Sequence, residues 1–173
     1  MDKHETATAG CQIKPASSAD FSIIREIAYK SWPVAYGNIL SEKQLNWMLE
    51  RFYCDDSLQK NIENHHLFYL IFQGLEAVGF FAIEHFYQNK NICRLHKLYI
   101  DPEVQTKGFG KIIIDFIEHE TQQKSINCLS LNVNKYNTAV AFYKKMGFKI
   151  VLEEIIDIGN GYVMDDFRME KKL

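Results

Sequence analysis

Nothing in this chain of 173 residues is apolar for as long as the roughly 20 residues a membrane span requires. Net charge is also scarce. Twenty Lys and Arg stand against 22 Asp and Glu, leaving −2, which gives no general reason to expect nucleic acid or an anionic membrane as a partner. The four cysteines, Cys11, Cys54, Cys93 and Cys128, are scattered without a CxxC pair, so four free thiols in a reducing cytoplasm are expected. Residues 1–10 are polar and lack the apolar segment of a signal peptide, and are expected to form a flexible tail. There are no internal repeats and no low-complexity linker, so residues 11–173 are expected to make a single domain. His65 and His66, side by side, would point to opposite faces of a strand, which argues against a metal site there.

What is present is ample material for a core: 47% hydrophobic residues, with 12 Phe and 9 Tyr. Cys11 to Lys14 reads as a first strand ended by Pro15. Ser17, Ser18 and Asp20 can cap a helix carrying Ile23, Ile24, Ile27 and Ala28, which Trp32-Pro33 is expected to disturb. Ser41-Glu-Lys-Gln44 is a capping-box pattern ahead of Leu45, Met48, Leu49 and Phe52, one apolar helical face. Asp56 is placed to cap a short helix with Leu58 and Ile62. Strands are expected from Leu67 to Phe72, from Ala77 to Tyr87 and from Ile92 to Ile100. After a helix opening near Gly108, a strand from Cys128 to Val133, a helix from Asn137 to Met146 stopped by Gly147, and strands from Phe148 to Ile158 and Tyr162 to Lys171 complete an α/β pattern.

The chain is organised around the stretch from Lys97 to Lys111. Leu98, Tyr99 and Ile100 end a strand, Asp101-Pro102 stops it, and Gln105-x-x-Gly108-x-Gly110 leads into the apolar run Ile112, Ile113, Ile114, Phe116 and Ile117. A glycine-bearing loop at a helix N-terminus exposes free N–H groups at the positive end of the helix dipole, an arrangement suited to phosphate. A P-loop is excluded, because Gln105 and Ile112 stand where it needs Gly and Ser or Thr. A dinucleotide-binding GxGxxG is excluded because position 113 is Ile113.

The remaining pattern resembles the acetyl-CoA pyrophosphate loop of the GNAT superfamily of N-acetyltransferases. The later segment Asn137-Thr-Ala-Val-Ala-Phe-Tyr-Lys-Lys-Met-Gly-Phe148 resembles the second signature of that family, in the expected helix–strand–helix order. The resemblance implies the GNAT fold: a mixed, mostly antiparallel twisted sheet with splayed parallel central strands near Leu98 and Leu131, flanked by helices. It also implies acetyl-CoA as cosubstrate, held between those strands, with no metal. Leu98 and Ile100 would bond pantetheine through the backbone. Gln105, Lys107, Gly108, Phe109, Gly110 and Lys111 would surround the pyrophosphate, where glycine lets backbone approach an anion. Lys145 would reach a nucleotide phosphate or be an ordinary exposed helix lysine. Asn137 would contact cofactor or serve as an N-cap.

Acetyl transfer needs an attacking amine, a leaving-group acid and an oxyanion partner. Tyr143 is the candidate acid for the CoA thiolate, since its reference pKa of about 10 keeps it protonated; the alternative is a core tyrosine. Backbone N–H near Leu98 or Tyr99 would serve the oxyanion. An alkylammonium, with a pKa of about 10.4, must lose its proton before it attacks. Many family members carry an acidic residue where this chain has Arg94 and His96, so a simple glutamate base is missing from that strand. His96 and, on the neighbouring strand, Glu84 are the candidate bases. The N-terminal helices, which wall the acceptor side in this family, carry Trp32, Tyr36, Trp47 and Tyr53. The chain is similar to small bacterial PaiA-like polyamine acetyltransferases. Aromatic faces at Trp32 and Tyr36, with charge from Asp157, Asp165 or Asp166, suit a small cationic amine. A protein N-terminus or lysine as acceptor, a non-catalytic acyl-CoA-binding module, and a homodimer remain open alternatives.

Overall fold

The computed structural model describes residues 10–104 and 108–173. Gln105 and Lys107, and all of the expected 1–10 tail except Gly10, lie outside the described residues. Seven strands form one sheet in the order β1-β2-β3-β4-β5-β7-β6. They are β1 (Cys11–Pro15), β2 (Leu67–Gln73), β3 (Glu76–Glu84), β4 (Cys93–Ile100), β5 (Cys128–Asn134), β6 (Lys149–Gly159) and β7 (Tyr162–Lys172). Every neighbouring pair is antiparallel except β4 and β5. That parallel pair is joined by α4 (Phe109–Gln123), as a parallel crossover requires.

Helices cover both faces. On one, Ile113, Ile114 and Ile117 of α4 and Tyr143 of α5 (Ala139–Lys145) pack on Phe81, Leu95, Leu129 and Leu131. On the other, α1 (Phe21–Tyr36), α2 (Glu42–Tyr53) and α3 (Asp55–Glu63) place Ile24, Trp32, Leu49, Tyr53 and Leu58 against Phe68, Leu70 and Phe80. Strand β3 is therefore sandwiched, which is why its sequence is a continuous apolar run instead of an alternating one.

Several local expectations are corrected. Trp32-Pro33 does not end α1; the helix runs through Pro33 to Tyr36, and the Pro33 carbonyl accepts from Gly37 N–H at 2.9 Å. Pro33 has no N–H to give one turn back, a loss offset by burying Trp32 among Tyr36, Tyr53 and Tyr99. The apolar run to Tyr87 is not all strand. Strand β3 stops at Glu84, and Phe86, Gln88 and Asn89 take positive φ in a turn. Cys54, not Asp56, precedes α3, and Asp56 lies in its first turn. Ser41 does cap α2 through Gln44 N–H at 3.2 Å, while the Gln44 side chain reaches the Val163 carbonyl.

The strand β4 carries two irregularities that together make the site. It pairs with β5 only from Cys93 to Leu95, and beyond Leu95 the two parallel strands part. On its other edge, Leu95 pairs with Ile83 and Lys97 with Ala82, so His96 is an extra residue, a β-bulge. The bulge changes the phase of alternation. Cys93, Leu95, Leu98 and Ile100 face the α4 core, while Tyr99 packs with the α1–α2 core and Lys97 lies over the Tyr53 ring.

Candidate active site

Where β4 and β5 part, a cleft of about 520 Å³ opens between them. Its walls include Leu98, Tyr99 and Ile100 of β4, Gly108, Gly110 and Lys111 at the start of α4, and Asn137 and Tyr143 around α5. A second chamber of about 300 Å³ lies on the α1–α2 side, lined by Trp32, Tyr53, Arg94 and Asp166 among others. Tyr36, His96, Lys97 and Tyr99 line both. Two openings thus meet at the bulge of β4.

At the cleft's mouth, Gly108 has φ +80° and precedes α4 without a side-chain cap. A Cβ built there would meet nothing within 4 Å, so the space in front of the first helical N–H groups is open. That is a fit to an anionic group such as a pyrophosphate. Gly110 serves a different need: a Cβ there would stand 3.0 Å from the Phe142 ring, so it lets α4 and α5 approach. Lys111 is exposed and paired with Asp115 at 2.5 Å. The Phe109 side chain is 4% exposed and turned into the core, which leaves only its backbone to face a ligand. Lys145 is exposed at the end of α5 and is not among the residues lining the cleft. Asn137 accepts from Ala139 N–H at 2.8 Å and also lines the cleft, so the two readings of this residue are compatible.

The Tyr143 ring packs between Phe142 and Phe148. Burial raises its pKa well above the ordinary value, so the phenol is held in its donor form. The two candidate bases are in contact: His96 Nε2 lies 2.8 Å from Glu84 Oε2. Burial, then the neighbouring His66, Arg94 and Lys97, push His96 down to about 3, while the adjacent carboxylate favours the imidazolium. With Nε2–H donated to Glu84, the lone pair is left on Nδ1. Burial raises Glu84. Glu84 is also 3.8 Å from His66, whose ring stacks on His96 with centroids 3.7 Å apart. The chain therefore gathers His66, Glu84 and His96 within 4.8 Å of one another, a grouping that the His65-His66 argument did not anticipate.

In the chamber, Trp32 is buried and Tyr36 Oη is 3.2 Å from Tyr99 Oη. Of the three expected carboxylates only Asp166 lines it, 2% exposed and raised to about 6 by burial. Asp165 pairs with Lys135 at 2.7 Å, and Asp157 accepts from Gly159 N–H at 2.7 Å. Trp47 packs on Tyr162 and Phe52 instead of lining the chamber. Lys97 escaped the sequence reading. Plain alternation puts it on the Leu95 face, and no local residue announces the bulge that turns it.

A profile described as Acetyltransferase (GNAT) domain matches residues 38–173. The chain is 28% identical over 167 residues to the spermidine N(1)-acetyltransferase of Thermoplasma acidophilum, covering 93% of this chain and 96% of that protein. It is 40% identical over 91 residues to the peptidyl-lysine N-acetyltransferase YjaB of Salmonella typhimurium, covering 50% of this chain and 53% of that protein. Among solved structures, PaiA N-acetyltransferase from Thermoplasma acidophilum in complex with coenzyme A is similar with a TM-score of 0.78 at 28% identity, over 94% of this chain and 99% of that one.

Proposed function

The chain belongs to the GNAT acetyltransferase family and is an N-acetyltransferase, and from that premise we propose that it carries acetyl from acetyl-CoA to a small cationic amine of the polyamine class. The observation that carries this reading is the pair of openings meeting at β4. One has a glycine-started helix at its mouth for a pyrophosphate, and the other is aromatic-walled with a buried carboxylate for an ammonium. In this reading Leu98 and Ile100 hold pantetheine through backbone groups, and Gly108, Gly110 and Lys111 surround the pyrophosphate. The acceptor lies in the chamber that Trp32 and Tyr36 help to wall. Its proton passes to the Glu84–His96 pair, in which the Glu84 carboxylate, made more basic by burial, stands against the His96 ring. The freed amine attacks the thioester carbonyl, backbone N–H of β4 near the bulge meets the oxyanion, and Tyr143 gives its proton to the departing thiolate.

A peptidyl-lysine acceptor is the second reading, favoured by the likeness to YjaB. The spermidine relative carries more weight, because its match over 93% of the chain is too long to leave out the helices that wall the chamber. The test is release of free thiol from acetyl-CoA with spermidine, spermine, putrescine and lysine-bearing peptides. Polyamines are expected to be the better acceptors. Faster turnover of the peptides would reverse the assignment, and tight acetyl-CoA binding without turnover of any amine would make the chain a binding module.

A further inference from the structure

We infer that Lys97 is itself an acetyl acceptor: with acetyl-CoA in the cleft and no competing amine, its Nζ takes the acetyl group, and the resulting amide closes the acceptor chamber. The inference rests on the acetyltransferase reading above. It begins with the bulge at His96, which turns Lys97 out of the α4 core so that it lines the cleft and the chamber at once. With Tyr36, His96 and Tyr99 it stands where the two openings meet.

Among the described residues, the Lys97 Nζ is unlike the other enclosed cations. Lys135 sits between Glu153 and Asp165, Lys171 pairs with Glu118, and Arg94 donates to Ser130 Oγ and Asn132 Oδ1. Among the described residues, no carboxylate lies within 4.0 Å of the Lys97 Nζ and no hydrogen bond holds it; it lies over the Tyr53 ring, 5.0 Å from the centroid. An aromatic face attracts the ammonium and has no comparable hold on the neutral amine. Burial pushes Lys97 down to about 8, so a neutral lone pair is available near neutral pH, where an exposed lysine offers almost none.

The step balances without any further reactant. The neutral Lys97 Nζ attacks the thioester carbonyl carbon. A C–N bond forms as the C–S bond breaks, the electron pair leaves with sulfur, and the nitrogen's proton ends on the CoA thiol. The products are Nε-acetyl-Lys97 and free CoA. The side chain has then lost its charge and gained an acetyl group inside a chamber of about 300 Å³. An idle, loaded protein would shut its own acceptor side, and an abundant acceptor amine would protect it by taking the acetyl group first.

Mass spectrometry of the full chain incubated with acetyl-CoA alone reads this directly. The expected result is a gain of one acetyl group mapped to Lys97, with exposed Lys60, Lys90 and Lys124 unmodified over the same period. The gain should be lost in Lys97→Arg, and suppressed by a saturating amine that the protein acetylates. It should also quicken as pH rises toward 8. The groups facing Lys97 in that range are Tyr53 from α2, Tyr36 from α1, Arg94, His96 and Tyr99 from β4, Glu84 beside His96 on β3, and Asp166 from β7. Should Lys97→Arg fail to fold, Lys97→Met replaces it, and the wild-type site map stands without either. Three outcomes overturn the inference: a protein that turns over an amine yet leaves Lys97 unmodified when incubated with acetyl-CoA alone, equal labelling of exposed lysines, or undiminished labelling in a Gly108→Val variant that no longer binds acetyl-CoA. Absence of acetyl-CoA binding by calorimetry in the wild type would instead overturn the acetyltransferase reading, and this inference with it.

Discussion

At the scale of single residues, Tyr143 separates an acid from a packing group. Its ring is held by Phe142 and Phe148, and it lines the cleft. Tyr143→Phe keeps the ring and removes only the donor. The expected result is a fall in kcat of about 10²-fold, the low end for general acids because a thiol leaves readily. CoA affinity and melting temperature should stay near wild type, and lower stability with turnover intact would mark a structural tyrosine instead. Glu84 and His96 offer a second test. Because they touch at 2.8 Å, they should act as one unit. Glu84→Gln and His96→Ala are each expected to depress kcat, and the double variant to fall little below the worse single one. Additive losses in that cycle would mean the two side chains work separately. Both residues were legible in the sequence as candidates, since an acid–base role limits the residue types. Their contact was not, because it depends on the register of β3 against β4 and on one extra residue in that register. The same bulge hid Lys97.

At the scale of elements, the loop before α4 shows two glycines with unlike duties. The sequence pattern assigned both to anion approach. The positive φ and the open space at Gly108 agree with that, whereas Gly110 is packed against Phe142. Gly108→Val should therefore leave the fold largely intact but weaken CoA binding, since the new side chain fills the space before the helix N-terminus and strains the backbone by about 1–3 kcal/mol. Calorimetry showing unchanged CoA affinity in the folded variant would reject the phosphate loop. Gly110→Ala should behave differently. Overpacking of about 1–3 kcal/mol outweighs the roughly 0.5–1 kcal/mol that alanine gains in a helix, so a modest drop in melting temperature is expected. Phe142 also lines the cleft, so its displacement should raise KM for acetyl-CoA as well. Element type was readable nearly throughout from apolar periodicity and turn residues. The failures have two physical causes. At Pro33 burial of Trp32 overrode a local breaker, and at Tyr87 a turn with positive φ at non-glycine residues cut an apolar run short.

At the scale of the whole molecule, one sheet separates two cores. The α4–α5 side borders the cleft and the α1–α2 side borders the chamber, with β4 as the shared wall. That architecture was legible through the resemblance of two short signatures to those of the GNAT family, with a helix between them that permits the parallel crossover. Which polar groups it would bury was not. Placing titratable side chains between two apolar layers has a consequence for acid stability. Burial pushes His66 and His85 down to about 4 and His96 to about 3, and raises Asp166 to about 6. Unfolded, the histidines titrate at about 6.5 and the aspartate at about 3.9. Near pH 5 the unfolded chain therefore holds three histidine protons that the fold excludes, and the fold holds one aspartate proton that the unfolded chain lacks. The net uptake of about two protons on unfolding means stability rises with pH, by about 2.7 kcal/mol per pH unit from these groups. Stability is thus expected to be fully present above pH 6.5 and to decline as pH falls toward 4. Urea midpoints measured across that interval check the sign. His85, with both ring nitrogens buried and unpartnered among the described residues, is the group to vary. His85→Gln should flatten the slope, whereas an unchanged slope would show that His85 takes up its proton in the folded state.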